Sequence, residues 1–146
     1  MKCEEVATVF VVDDDRDMRE SLKWLLESAG FKVELYDSAE HFLERPGQCR
    51  WSCMLLDVRM RGLNGLGLLE RLNDQGATLP VIMITGHGDI SMAVTALKAG
   101  AFDFIEKPAT HQLILERVRL ALALNEQIQE REQERGRVKG LLAQLS

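Results

Sequence analysis

The chain has 146 residues, 46% of them apolar and 28% charged, proportions of a single globular domain rather than a disordered segment. Eighteen Lys and Arg against 23 Asp and Glu leave a net charge of −5, which argues against direct nucleic-acid binding by these residues. No apolar run approaches the roughly 18 residues of a membrane span, and Met1-Lys2-Cys3-Glu4-Glu5 is acidic where a signal peptide is basic, so a cytoplasmic protein is expected.

Val6 to Val12 is a β-branched run that stops at Asp13-Asp14-Asp15. Arg16 to Ser28 carries Met18, Leu22, Leu25 and Leu26 at helical spacing. Asp17 with Glu20 resembles a capping box for that helix, while Asp15 is a second candidate cap. Gly30 stands where a helix end favours a left-handed residue. Phe31 to Tyr36 alternates as a strand, and Asp37 is expected to cap a short helix through Leu43. Arg45-Pro-Gly-Gln-Cys reads as a loop. Cys53 to Leu56 is apolar and ends at Asp57; a Gly-punctuated loop then leads into a helix near Leu66 to Asn73. Val81 to Ile84 is the next buried run, ending at Thr85. A helix from Ile90 to Ala99 stops at Gly100, and Phe102 to Ile105 is the last strand, followed by Glu106-Lys107-Pro108.

Five largely apolar strands, each followed by a helix, predict an α/β fold: a parallel sheet covered on both faces, hence a three-layer sandwich. From about Gln112 the last helix is apolar enough to pack on the sheet. After Asn125 it becomes polar, with Val138, Leu141, Leu142 and Leu145 restoring some apolarity. The expected division is a domain over residues 1–122 and a long helical extension over 123–146, either a solvated continuation or a linker that dimerises or passes a signal. Cys3, Cys49 and Cys53 have no framework spacing and too few neighbouring ligands for zinc. His87 and His111 read as surface residues.

The polar residues fall at strand ends. Asp13 and Asp14 follow the first strand, Asp57 the third, Thr85 the fourth and Lys107 the fifth. In an open parallel sheet these ends form one edge, where ligands bind, so the five residues converge. Three carboxylates a few ångströms apart repel by about 4 kcal/mol per pair at 4 Å and an effective dielectric of 20, and they stay ionised only around a cation. An all-oxygen site with room for water suits Mg²⁺ or Mn²⁺. A carboxylate beside such an ion is a plausible nucleophile toward activated phosphorus, with the Lys107 ammonium neutralising charge and the Thr85 hydroxyl donating to a phosphoryl oxygen.

Val12-Asp13-Asp14-Asp15, Leu56-Asp57-Val58-Arg59-Met60, Ile84-Thr85-Gly86-His87-Gly88-Asp89 and Phe102-Asp103-Phe104-Ile105-Glu106-Lys107-Pro108 resemble the receiver domain of two-component response regulators. The FixJ type is the nearest, through the stretch Ile84 to Pro108 with Met92-Ala93-Val94 and Lys98-Ala99-Gly100-Ala101. The resemblance covers about residues 6 to 122. It implies a flavodoxin-like fold with strand order 2-1-3-4-5, for which a chemotaxis member of this family is a standard example. It also implies Asp57 as phospho-acceptor, Asp13 and Asp14 as the acidic metal pair, and the Arg59 backbone carbonyl as a further metal ligand. Thr85 and Phe104 match the switch positions, Lys107 the family's lysine, and the Lys107–Pro108 bond is expected to be cis.

By the same resemblance the partner is a sensor histidine kinase, and the domain catalyses only its own phosphorylation and dephosphorylation. The readout surface would be the fourth helix, fifth strand and fifth helix, with homodimer formation on phosphorylation as one outcome. FixJ-type relatives usually carry a LuxR-type DNA-binding domain after a helical linker, and Ser146 falls about where that domain would begin. The family usually has Pro after the Met of the loop behind the acceptor, where this chain has Arg61. Two other readings compete. One is a phosphatase of the haloacid-dehalogenase type with Asp13 as nucleophile and Asp15 as acid/base, which gives Asp57 no task and finds Asp17 where a Thr is expected. The other is a degenerate receiver acting only as a binding or dimerisation module.

Overall fold

The apolar runs become strands because their β-branched and long aliphatic side chains are buried on both faces of one sheet. The computed structural model describes residues 6–47, 50–86 and 89–145, and no side chain at 133 or 136–145. Cys3, Cys49, His87 and the side chains of Val138, Leu141, Leu142 and Leu145 therefore lie outside the described residues. The order of elements is β1 (Thr8–Val12), α1 (Arg16–Ser28), β2 (Lys32–Tyr36), α2 (Ala39–Glu44), β3 (Ser52–Asp57), α3 (Gly65–Asp74), β4 (Val81–Thr85), α4 (Ile90–Lys98), β5 (Asp103–Glu106) and α5 (His111–Leu145). All neighbouring strands pair in parallel, in the order β2-β1-β3-β4-β5.

Successive strand residues point to opposite faces, which divides the core into two layers. Val9, Val11, Cys53, Leu55, Ile82 and Ile84 pack beneath Leu22, Leu25 and Leu26 of α1 and Ile114, Val118 and Ala121 of α5. Phe10, Val12, Met54, Leu56 and Met83 meet Phe42 of α2, Leu68, Leu69 and Leu72 of α3, and Ala96 of α4. Leu26, Leu55 and Leu68 are fully buried; cutting any one to alanine would cost about 2–5 kcal/mol through lost transfer and a cavity. The edge strand β2 is only half-buried through Leu35, which fits its alternating sequence.

Two capping expectations are corrected. The cap of α1 is Asp15, whose side chain accepts from the Asp17 N–H; the helix begins at Arg16, so Asp17 is already inside it and forms no capping box with Glu20. The cap of α2 is Ser38, whose Oγ accepts from the His41 N–H at 3.0 Å. Asp37 sits one residue too early and pairs with the His41 ring at 3.2 Å instead. Gly30 and Gly100 take the left-handed backbone, φ +93° and +103°, ending α1 and α4 as their positions suggested. Packing of α5 on the sheet continues to the buried Asn125, and the helix runs unbroken to Leu145, roughly 50 Å at 1.5 Å per residue.

Candidate functional site

Parallel strands bring all their carboxyl ends to one rim. β1 ends at Val12 beside Leu56 of β3, so Asp13 and Asp57 follow at the same level. Asp57 pairs with Ile84 of β4, and Thr85 with Glu106 of β5, one residue before Lys107. The Lys107 N–H donates to the Thr85 carbonyl at 2.8 Å, fixing the root of the lysine, and the Lys107–Pro108 bond is cis.

Asp13, Asp14 and Asp57 each offer a carboxylate oxygen, and these oxygens lie within 4.8 Å of one another. Asp13 is buried, held through its Oδ1 by the Asp15 N–H at 2.9 Å. Its Oδ2 is buried and has no hydrogen-bond partner among the described residues, a costly state for a polar atom unless something else meets it. Asp57 is 8% exposed. Its Oδ1 accepts from the Arg59 N–H at 3.1 Å, and its Oδ2 stands 3.8 Å from the Lys107 ammonium. Exposed Asp14 accepts from the Arg61 N–H through Oδ2 at 3.2 Å.

Electrostatics follow from that crowding. Burial pushes the Asp13 carboxyl up to about 6, the Asp15 amide opposing and the Asp57 charge reinforcing it. Burial also raises Asp57, against the pull of Lys107 and the Arg59 amide. Both shifts come first from burial, which disfavours the charged carboxylate and which a bound cation would offset. The orphaned Asp13 oxygen and the oxygen-only donor set fit a hard divalent cation of the Mg²⁺ or Mn²⁺ kind.

Around the rim, Thr85 is buried and its hydroxyl donates to the Ile105 carbonyl at 3.4 Å. Phe104 is half-buried against the layer that contains Met83 and Ala96. Asp15 caps α1 rather than facing the carboxylate cluster, which leaves the phosphatase alternative without its acid/base. His111 is exposed, with its ring 6.4 Å from that of Trp24.

Three partners around the site were not read from the sequence. The Arg59 guanidinium grips the Asp89 carboxylate through both nitrogens, Nε to Oδ2 and Nη2 to Oδ1, each at 2.7 Å. The pair holds the Asp89 carboxyl below its usual value. Glu40 of α2 accepts from the Leu63 N–H at 2.6 Å, and the Arg61 amide reaches Asp14 as above. An N–H donor at position 61 was available as a signal, since proline in that place could not donate.

A family model for the response regulator receiver domain matches residues 9–119. Among curated proteins, the transcriptional regulatory protein TdiR of Thauera aromatica is 42% identical over 99% of this chain and 64% of its own. The transcriptional regulatory protein FixJ of Bradyrhizobium diazoefficiens is 49% identical over 68% of this chain and 49% of its own. The chain thus spans about half to two thirds of these relatives. Among solved structures, the response regulator StyR superposes with a TM-score of 0.88 at 43% identity, covering 97% of this chain and 71% of that one. The FixJ N-terminal domain gives 0.76 at 44% identity, covering 80% and 94%.

Proposed function

Since the chain belongs to the response regulator receiver family, we propose that it accepts a phosphoryl group from a sensor histidine kinase onto Asp57 and so switches an output, transcription being the output suggested by its relatives' names. The observation that carries this is the buried Asp57 carboxylate, flanked by Asp13, Asp14 and Lys107 at one rim.

In the transfer, an Asp57 oxygen bonds to phosphorus while the bond from phosphorus to the donor imidazole nitrogen breaks, the electron pair staying on that nitrogen. The Asp13, Asp14 and Asp57 carboxylates and the Arg59 carbonyl would hold the divalent ion, which when bound neutralises the carboxylates and polarises the phosphoryl oxygens. Lys107 places its ammonium opposite Asp57 Oδ2 and would follow the oxygens of the incoming group as a mobile point charge. The Arg59 amide keeps the carboxylate oriented. Hydrolysis reverses the attachment: water attacks phosphorus and the Asp57 carboxylate leaves.

With a phosphoryl group present, the Thr85 hydroxyl would turn from the Ile105 carbonyl toward it, and the Phe104 ring would move into the vacated space. That links the acceptor to the face formed by α4, β5 and α5, a local charge change biasing a two-state element. Residues 1–122 would be the receiver and 123–146 the linker to a LuxR-type DNA-binding domain, with homodimerisation on phosphorylation as a further step. The protein would catalyse only its own phosphorylation and hydrolysis, in the cytoplasm. Among the described residues no helix is long and apolar enough to cross a membrane.

The test is labelling with acetyl phosphate and Mg²⁺. Wild type is expected to gain one acid-stable, base-labile phosphoryl group and Asp57→Asn none; retained labelling in Asp57→Asn would count against the assignment. Sedimentation with and without beryllofluoride tests dimer formation.

A further inference from the structure

Asp89 stands at the N-cap of α4, yet its side chain makes no capping bond to that helix. An aspartate there ordinarily accepts from an N–H of the first turn. Here both carboxylate oxygens are taken by Arg59. The pair is lopsided: the Asp89 side chain is 16% exposed and the Arg59 side chain 69%. The guanidinium is therefore the more solvent-exposed member of the pair.

Arg59 is also rooted at the acceptor. Its own N–H bonds Asp57 Oδ1, so the guanidinium hangs two residues from the carboxylate that would carry the phosphoryl group. Its side chain lines the open cleft that Asp14, Met60 and Arg61 also border. Arg59 is thus tied to the acceptor through its backbone and to the Asp89 carboxylate through its side chain. A phosphoryl group on Asp57 would be a second anion, present only after transfer. A phosphoryl group brings nearly twice the charge and three acceptor oxygens, and a guanidinium fork matches either partner.

We propose that Asp89 is a positioning residue that parks the Arg59 guanidinium beside α4, and that a phosphoryl group on Asp57 draws the guanidinium across, releasing Asp89 to cap α4. The proposal rests on Asp57 being the acceptor, as proposed above. Its consequence is a second route from the acceptor to α4 besides Thr85 and Phe104. The release acts at the first turn of the helix that exposes Ile90, Val94 and Leu97 along one side. Arg59 would then spend part of the phosphoryl group's attraction on leaving Asp89, so Asp89 weakens the hold on the phosphoryl group.

The test is a cycle of four proteins, wild type, Asp89→Ala, Arg59→Ala and the double variant, titrated with beryllofluoride at saturating Mg²⁺ and followed by fluorine NMR. Asp89→Ala is expected to bind about 3- to 10-fold more tightly than wild type, the range of one charge-assisted contact freed from competition. Asp89→Asn should show the same gain, and Asp89→Glu should return to the wild-type value. In the Arg59→Ala background the Asp89 substitution should change binding less than about twofold, because no guanidinium is left to release. Hydrogen exchange supplies a second readout. Beryllofluoride should slow exchange of the Ser91 and Met92 amides in wild type and leave it unchanged in Asp89→Ala.

An Asp89→Ala affinity equal to wild type, or an equal gain with and without Arg59, would overturn the proposal while leaving Asp57 as acceptor. Failure of wild type to bind at all, matching an Asp57→Asn control, would remove the acceptor assignment and this inference with it.

Discussion

Asn125 Oδ1 accepts the backbone N–H of Ser52 at 3.0 Å, across 73 positions of sequence and wholly within the protein. One residue earlier, the Trp51 indole N–H donates to the Leu122 carbonyl at 3.2 Å. These two bonds fasten α5 to the first turn of chain entering β3, the strand whose other end carries Asp57. The point where α5 outgrows the sheet is thus anchored to the acceptor strand rather than free of it. Asn125→Ala should cost about 1–3 kcal/mol, the price of leaving a buried N–H without its acceptor. A urea midpoint unchanged from wild type would show that the bond does not hold the helix.

The Asp13 carboxyl makes stability pH-dependent in a direction opposite to that of a salt-bridged aspartate. Its folded value, about 6, lies above the ordinary 3.8, so between those values the folded state binds the extra proton. Stability contributed by that proton is present below about pH 4 and is lost as pH rises through about 6. Metal-free Asp13→Asn should therefore be more stable than wild type at pH 7.5, the gap closing by pH 4. Urea midpoints in EDTA at both pH values test this. Mg²⁺ affinity of the wild type should fall as pH drops below 6, because the ion requires the ionised carboxylate.

The parallel sheet and the convergence of its strand ends were legible because both are set by pattern. Runs such as VATVFVV and CMLL are short, largely apolar and alternate with helical stretches, the pattern of strands buried on both faces. Asp13, Asp57 and Thr85 follow such runs directly, with Lys107 one residue further on. The caps were less legible. Three consecutive aspartates at 13–15 and the pair Asp37-Ser38 offer several chemically equivalent caps, and only the backbone turn decides among them. The Arg59–Asp89 grip was not legible, since it joins two loops 30 residues apart and neither residue carries a local signal beyond its charge. The docking of α5 through Asn125 agrees with the change to a polar sequence after that residue, but the bond that fixes it was not legible. Nothing local to Asn125 shows that its side chain is buried because it satisfies the Ser52 backbone N–H.

Gly65 lies against the backbone at the end of the acceptor strand, its N–H donating to the Val58 carbonyl at 3.0 Å. A Cβ there would press on the Asp57 carbonyl and come within 2.9 Å of the Val58 Cα. Both are backbone atoms and have little freedom to give way. Gly65→Ala should cost about 1–3 kcal/mol by overpacking and should slow phosphorylation by acetyl phosphate through displacement of Asp57. Wild-type stability and labelling rate in this variant would contradict the close approach.

Cys53 is fully buried in β3, and burial pushes its thiol up to about 12. In a variant with Cys3 and Cys49 changed to serine, the remaining thiol should resist a disulfide reagent at pH 8 and react at once in urea. Fast reaction in the folded protein would mean that β3 is exposed.

The most direct measurement is chemical mapping of the acyl phosphate: treat the protein with acetyl phosphate and Mg²⁺, reduce with borohydride, and locate the homoserine produced by mass spectrometry. Conversion at position 57 is the expected result. Conversion at position 13, or at no aspartate, would contradict a phosphoryl switch built on Asp57.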